Sequence, residues 1–234
     1  MTHSTLGRTL IGAALTVMLS ATALAPASAA TLPVITWDSV ITEGATYVYG
    51  EVPAEPTCTA VEDATPVACT VTGYDTSVGD HQLVATAVAF DDETVIATET
   101  INYSVTGWTL KGFYKPVRMT AMNKVKAGST VPLKFKVYEG ADKAKSVAVV
   151  ASFTAQQYDC TTLVPIGDPT SVTRTGKGFQ LKYRHGAFHQ NWKTPKLPKA
   201  AKVKGKKVPA TPACYLVTMT TQDGSALSAT FRLR

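Results

Sequence analysis

From Val131 the chain alternates. Val131, Leu133, Phe135 and Val137 fall on one side of an extended strand, and Lys134 and Lys136 fall on the other. Successive side chains of a strand point to opposite faces, so a period of two predicts a half-buried strand with a basic outer face. The last segment repeats this, with Leu227, Ala229, Phe231 and Leu233 inward and Thr230 and Arg232 outward. Leu83, Ala85, Ala87 and Ala89 alternate instead with Val84, Thr86 and Val88, which predicts a strand buried wholly or partly on both sides. Gly, Asp, Pro and Asn separate such runs, and no stretch holds a helical period for three turns. The chain is therefore expected to be all-β. Strands at this spacing predict β-sandwiches, with a β-barrel left open because the periodicity is the same.

The first thirty residues break the pattern. Arg8 precedes an apolar run from Leu10 to Leu19, followed by Pro26 and the small residues Ala27-Ser28-Ala29-Ala30. This reads as a signal peptide spanning 1–29, with Ala27 and Ala29 at the positions a signal peptidase requires to be small, and a cut after Ala30 as the alternative. The run is shorter than the roughly 20 residues that cross a bilayer, so no stable membrane insertion is expected. The remainder should be secreted, either extracellular or associated with the cell surface.

Four cysteines, Cys58, Cys69, Cys160 and Cys214, suit an exported chain with two disulfides. Of the three connectivities, Cys58–Cys69 and Cys160–Cys214 keep each bridge within one domain of the division made below. A zinc site would need a C-x-x-C pair or an adjacent His, and neither is present.

Charge divides the mature chain more sharply than hydropathy. Ala30 to Thr106 holds twelve acidic residues and no Lys or Arg, whereas Gly107 to Arg234 holds 22 basic and five acidic residues. An acidic domain over 30–106 and a basic domain over 107–234 are expected to abut, because only Thr106-Gly107 separates two strand-like runs. Opposite poles also raise the expectation of head-to-tail self-association between the acidic half of one molecule and the basic half of the next.

Four motifs in the second half occur in a recognisable order. They are Trp108-Thr-Leu-Lys-Gly-Phe-Tyr-Lys-Pro-Val117, then Asn123-Lys-Val-Lys-Ala-Gly-Ser-Thr-Val-Pro-Leu-Lys-Phe135, then Gln190-Asn-Trp-Lys-Thr-Pro195, and Ala213-Cys-Tyr-Leu-Val-Thr-Met-Thr-Thr-Gln-Asp-Gly-Ser225. Together they resemble the secreted actinobacterial PxKF-motif immunoglobulin-like domain, whose motif here is Pro132-Leu133-Lys134-Phe135. The first half is similar to the immunoglobulin-like repeat often found upstream, through Pro56-Thr-Cys-Thr-Ala60, Val67-Ala-Cys-Thr-Val-Thr-Gly73 and Gly79-Asp-His-Gln-Leu-Val-Ala-Thr-Ala87. The resemblance implies two immunoglobulin-like β-sandwich domains in tandem and a non-catalytic module, with no ligand or cofactor specified. Two departures from the family pattern are noted: the pair is expected to stand without the usual catalytic domain in front, and the stretch before the last cysteine is extended and packed with lysine.

That stretch, 193–212, carries Lys193, Lys196, Lys199, Lys202, Lys204, Lys206 and Lys207, with Pro195, Pro198 and Pro209 and no acid. Self-repulsion and the lack of apolar area predict an extended, mobile loop. It is either a solvated loop or an electrostatic grip on a polyanion such as an anionic envelope polymer or extracellular nucleic acid.

Other chemistries find less support. His185 and His189 have the spacing of helical metal ligands but flank Gly186-Ala187-Phe188, a hairpin-like stretch, so no metal site is expected. Asp91-Asp92-Glu93 reads as a hairpin tip, with weak calcium binding as the alternative. There is no Gly-x-Ser-x-Gly elbow and no phosphate-binding glycine loop, and the chain is not expected to be an enzyme. Trp37, Trp108 and Trp192 are expected to pack in cores rather than to present faces to sugars. Trp192 between bridged cysteines loosely resembles the tryptophan that packs on an inter-sheet disulfide in antibody domains.

Overall fold

The computed structural model describes residues 32–88, 95–173, 180–198, 201–203, 206–208 and 211–234. The expected signal peptide and the triplet Asp91-Asp92-Glu93 lie outside the described residues.

The acidic half contributes β1 (Val34–Asp38), β2 (Ala45–Val48), β3 (Thr57–Glu62), β4 (Thr65–Thr72), β5 (Gly79–Val88) and β6 (Val95–Thr106), in the spatial order β1-β3-β4-β5-β6-β2. One strand joins two ladders. The start of β4 pairs with β3 (Ala60↔Val67, Glu62↔Thr65), whereas from Ala68 onward it pairs with β5. The two ladders face each other across Ile35, Ala60, Ala85 and Ala87 at one end and Ile41, Leu83, Tyr103 and Val105 at the other, with Trp37 packed against both groups. The alternation in β5 resolves into one fully buried row, Leu83, Ala85 and Ala87, and one half-buried row, Val84, Thr86 and Val88. Cys58 is bonded to Cys69. Continuing the β3–β4 register would set these two residues opposite each other, so the bridge closes the fork at which β4 leaves β3 for β5.

The basic half adds β7 (Thr109–Gly112), β8 (Asn123–Val125), β9 (Thr130–Glu139), β10 (Asp142–Lys143), a short 3-10 turn at Val147–Val149, β11 (Val150–Tyr158) and β12 (Thr170–Ser171). It continues with β13 (Lys182–Arg184), β14 (Ala187–Lys193), β15 (Ala201–Val203), β16 (Lys206–Val208), β17 (Ala213–Thr221) and β18 (Ala226–Leu233). One sheet runs β7-β9-β14-β13, with β10 also on β9, and the other runs β12-β11-β17-β18-β8, its last pair parallel. Lettered by chain order, these are the A-B-E-D and C′-C-F-G sheets of an immunoglobulin sandwich. The chain is thus all-β and made of two tandem immunoglobulin-like sandwiches.

The predicted inward rows are the ones buried. Leu133, Phe135 and Val137 have no exposed surface and face Phe153, Val217, Met219, Phe231 and Leu233 of the other sheet across the core. Phe135 centres an aromatic cluster, stacked on Phe188 at 5.2 Å and 6.0 Å from both Phe113 and Phe153. Pro132 sits where β7 no longer flanks β9, since their pairing ends at Gly112↔Phe135. A proline, which has no N–H to donate, is tolerated beside such a gap in the ladder.

Two expectations need correction. The stretch 193–212 is not one extended loop: β14 continues through Lys193, and Ala201–Val203 pairs with Lys206–Val208 as a two-stranded hairpin. Ala201, Val203 and Val208 supply strand-forming positions, and the two-residue separation containing Gly205 has tight-hairpin spacing. The Cys160–Cys214 bridge lies within one sheet, joining the chain just past β11 to β17, its neighbour. Trp192 is buried on the opposite sheet, where it packs edge-on against Tyr215 and Phe231.

Candidate functional site

The seven lysines singled out by composition occupy different settings. Lys193 ends β14 opposite Thr130, and Lys196 follows the anchored Thr194-Pro195, where Thr194 donates both its backbone N–H and its hydroxyl to the Ser129 carbonyl. Lys202 and Lys207 are paired in the β15–β16 hairpin next to Lys206. Lys199 and Lys204 lie outside the described residues.

A denser array of cations stands on the outer face of the β7-β9-β14-β13 sheet. The motif residue Lys134 lies opposite His189, which lies opposite Lys182; Lys136 lies opposite Lys111; and Tyr138 is paired with both Thr109 and Lys143. Lys111, Lys143 and Lys182 are exposed, and Lys134 and Lys136 are half-buried between their neighbours. Sequence alternation pointed Lys134 and Lys136 outward, but it could not add Lys111, Lys143 and Lys182, because that follows from strand order.

The tyrosines beside these lysines are capped by them. The Lys111 ammonium lies 5.0 Å and the Lys143 ammonium 5.9 Å from the Tyr138 ring centre, and Lys136 lies 5.6 Å from that of Tyr114. Such contacts contribute about 0.5–1 kcal/mol at exposed sites. The field here is positive enough to reach a neighbour: the His189 imidazole is held below its ordinary pKa, first by partial burial and then by the charges of Arg184, Lys134 and His185.

A second polar cluster holds the two sandwiches together. Asp223, nearly buried, accepts the Trp108 N–H at 2.6 Å, the Ser225 hydroxyl at 2.6 Å, the Ser225 N–H at 3.3 Å and the Thr221 hydroxyl. Burial raises the pKa of this carboxyl, but the hydrogen bonds from Ser225, Thr221 and Trp108 outweigh it and leave the value below the usual aspartate range. The Trp108 indole N–H donates to the Tyr49 carbonyl at 3.1 Å, and the two rings meet edge to face at 5.5 Å. A Cβ at Gly107 would come within 2.9 Å of both Asp223 Oδ2 and Ser225 Oγ, so the bare backbone lets the chain pass between them.

The remaining candidates do not converge. His185 and Gly186, both with positive φ, form the turn joining β13 to β14, which places His185 at the turn and His189 on the strand. Among the described residues no group of three or more His, Cys, Asp or Glu side chains is placed to hold a metal ion. Trp192 is a core residue, while Trp37 and Trp108 are partly buried and their indole N–H groups are bonded to Glu99 and Tyr49. A depression of about 240 Å³ lies between Tyr158, Leu163, Pro165 and Leu216, and no ionisable carboxylate, imidazole or amine lines it. No helix among the described residues is long and apolar enough to cross a membrane, and the two disulfides suit an oxidising compartment.

No protein-family model matches the chain, and no curated protein matches it. Solved structures with some likeness are immunoglobulin-type tandems. The I-band fragment I67-I69 from titin is 10% identical, with 88% of this chain and 66% of that one covered and a TM-score of 0.25. The three N-terminal domains of the bacteriophage RB49 Highly Immunogenic Outer Capsid protein are 11% identical, with 87% and 70% covered and a TM-score of 0.28. Extracellular domains 3-5 of Drosophila OTK are 10% identical, with 82% and 58% covered and a TM-score of 0.26. This chain thus spans about two thirds, or less, of the titin fragment and the OTK segment. The fold assigned above rests on strand order and not on these likenesses.

Proposed function

We propose that this chain is a secreted, non-catalytic immunoglobulin-like tandem of the PxKF type, whose basic second domain holds it to anionic polymers of the cell envelope or the extracellular space. The observation that carries the reading is the separation of charge. All 22 basic residues after the expected leader lie in the second half, and among the described residues none of the lysines on the β7-β9-β14-β13 face is held in an ion pair. Unneutralised cations gathered on one domain favour association with a polyanion and make it steeply salt-dependent. Fractionating a culture of the source cell tests this. The protein is expected with the envelope at low salt and in the wash at high salt, and protein found wholly free in the medium at low salt overturns the proposal.

A second reading is favoured by a different observation. The Trp108–Asp223 and Trp108–Tyr49 bonds lock the linker at both ends, which suits a stiff spacer with no ligand of its own. Salt-independent distribution in the same fractionation selects that reading.

A further inference from the structure

We infer that the outer face of the β7-β9-β14-β13 sheet, rather than the lysine-rich stretch that follows it from Lys196 to Pro212, is a binding site for a flexible polyphosphodiester chain without bases, gripped by Lys111, Lys134, Lys136, Lys143 and Lys182. The inference rests on the polyanion reading above and assigns it a surface and a ligand class.

Like charges set directly opposite each other across a strand pair are destabilising. The sheet nevertheless places Lys111 opposite Lys136, and it stacks Lys134, His189 and Lys182 in one cross-strand row. None of the five acidic residues of the second half is on this face. Glu139 and Asp142 are paired with each other at the end of β9, one residue out of phase with the Tyr138↔Lys143 pair, and Asp159, Asp168 and Asp223 belong to other segments. The repulsion is therefore left for a ligand to relieve. In a sheet, lysines on adjacent strands start about 4.8 Å apart and those two apart on one strand about 7 Å, so the array is a grid of positive points that a flexible chain of phosphates can follow.

Residue type narrows the ligand. Apart from Arg184, which shares the phase of Lys182 on β13, the cations of this face are lysines, which bind phosphate as point charges without the bidentate geometry that arginine brings and so favour repeated charge over one fixed group. Single-stranded nucleic acid binding relies on aromatic faces open to the bases. Here Tyr138 and Tyr114 are covered by the ammonium groups of Lys111, Lys143 and Lys136, and a flat sheet face presents no element to a duplex groove. Only Tyr114 keeps an exposed ring, so the surface offers repeated charge for phosphate and no row of open aromatic faces for bases. The register of the β15–β16 hairpin, by contrast, opposes a single pair of cations, Lys202 and Lys207.

The test uses the full mature chain with both disulfides intact and long-chain inorganic polyphosphate as the probe. Replacing the five face lysines by Gln is expected to weaken binding about tenfold or more and to flatten the log–log salt slope by about 3, whereas replacing Lys196, Lys199, Lys202, Lys204, Lys206 and Lys207 by Gln leaves affinity within about threefold. Replacing the same five face lysines by Arg restores binding and separates lost charge from lost fold, which an unchanged Tm also checks. Wild-type protein that binds no polyanion defeats the general reading. Wild-type binding that survives in the face variant, or is lost in the stretch variant, overturns the inference alone. Tighter binding to single-stranded DNA than to polyphosphate of equal charge, or a mass that doubles at low salt through a second copy seated on this face, also overturns it.

Discussion

The backbone N–H of Trp108 and the carboxylate of Asp223, 115 positions apart in the chain, are joined by a 2.6 Å hydrogen bond. This contact brings the start of the first motif onto the Thr221-Gln-Asp-Gly-Ser225 turn of the last. The Trp108 indole reaches across to Tyr49 of the acidic sandwich. One carboxylate thereby fixes the residue that fixes the joint.

Asp223→Ala removes the acceptor shared by Trp108, Ser225 and Thr221 and leaves those donors inside a nearly buried site. Hydrogen bonds to charged groups are worth about 1.5–3 kcal/mol, so a loss of about 3 kcal/mol is expected in urea unfolding of the second sandwich. The Trp108 fluorescence should also move to the red and become more quenchable at urea concentrations where the protein stays folded. An unchanged midpoint and spectrum would remove Asp223 from this role.

The same carboxyl sets a pH dependence. Its folded pKa is depressed below the ordinary aspartate value of about 3.9, so its stabilisation is fully present above that value. It is lost as pH falls through the lower folded value. Urea midpoints measured downward from pH 5 are expected to fall more steeply for the wild type than for Asp223→Asn, and parallel curves would contradict the assignment.

Gly107→Ala tests the close approach at the joint directly. The added Cβ would meet Asp223 Oδ2 and Ser225 Oγ at 2.9 Å, and both atoms are held by the hydrogen bond between them. The chain or the pair must shift, at about 1–3 kcal/mol by the usual cost of overpacking. Small-angle scattering should detect altered inter-domain geometry, and a profile identical to the wild type would contradict the close approach.

Within the Pro-Leu-Lys-Phe motif the four side chains have separable roles. Phe135→Ala opens a cavity among Phe113, Phe153 and Phe188 and is expected to cost about 3–5 kcal/mol. Lys134→Gln, on the outer face, should change stability by less than about 0.5 kcal/mol. Equal losses from both would mean that Lys134 is structural, which its setting opposite His189 gives no reason to expect.

The legible part of the fold was the part governed by local alternation. Val131 to Val137 and Leu227 to Leu233 announced both their conformation and their buried face, because a half-buried strand writes its period into neighbouring residues. The Trp108–Asp223 bond could not be read that way, since nothing near either residue specifies the other. The lysine face was half legible: Lys134 and Lys136 pointed outward by alternation, but Lys111 and Lys182 reach the same face only through the order β7-β9-β14-β13. The stretch 193–212 hides its hairpin for the opposite reason: its density of lysine predicts self-repulsion, whereas Ala201, Val203 and Val208 carry the strand pattern.

The bridges differ in what they constrain. Cys58–Cys69 spans a sequence separation of 11, and Cys160–Cys214 one of 54. Loop-closure entropy gives about 3 kcal/mol for the first and about 4 kcal/mol for the second. Replacing each pair by Ser and comparing urea midpoints is expected to rank Cys160–Cys214 as the larger loss, and the reverse order would point to strain or residual structure in the unfolded chain.

His189 offers a local reporter of the basic face. It lies between Lys134 on β9 and Lys182 on β13, with Arg184 and His185 also close. Partial burial and then the charge of Arg184 hold its folded pKa below the ordinary histidine value of about 6.5, opposed only by the hydrogen bond it shares with the Arg184 backbone. The unfolded chain therefore binds the proton more readily, so stability from this group is present above about pH 6.5 and declines as pH falls toward the folded value. Nuclear magnetic resonance titration of the imidazole should show the low value directly, and Lys134→Gln should raise it by removing one neighbouring cation. Saturating polyphosphate should raise it further, because an anion laid on the sheet favours the imidazolium. A His189 titration unmoved by polyphosphate that is demonstrably bound would place the polymer on some other surface.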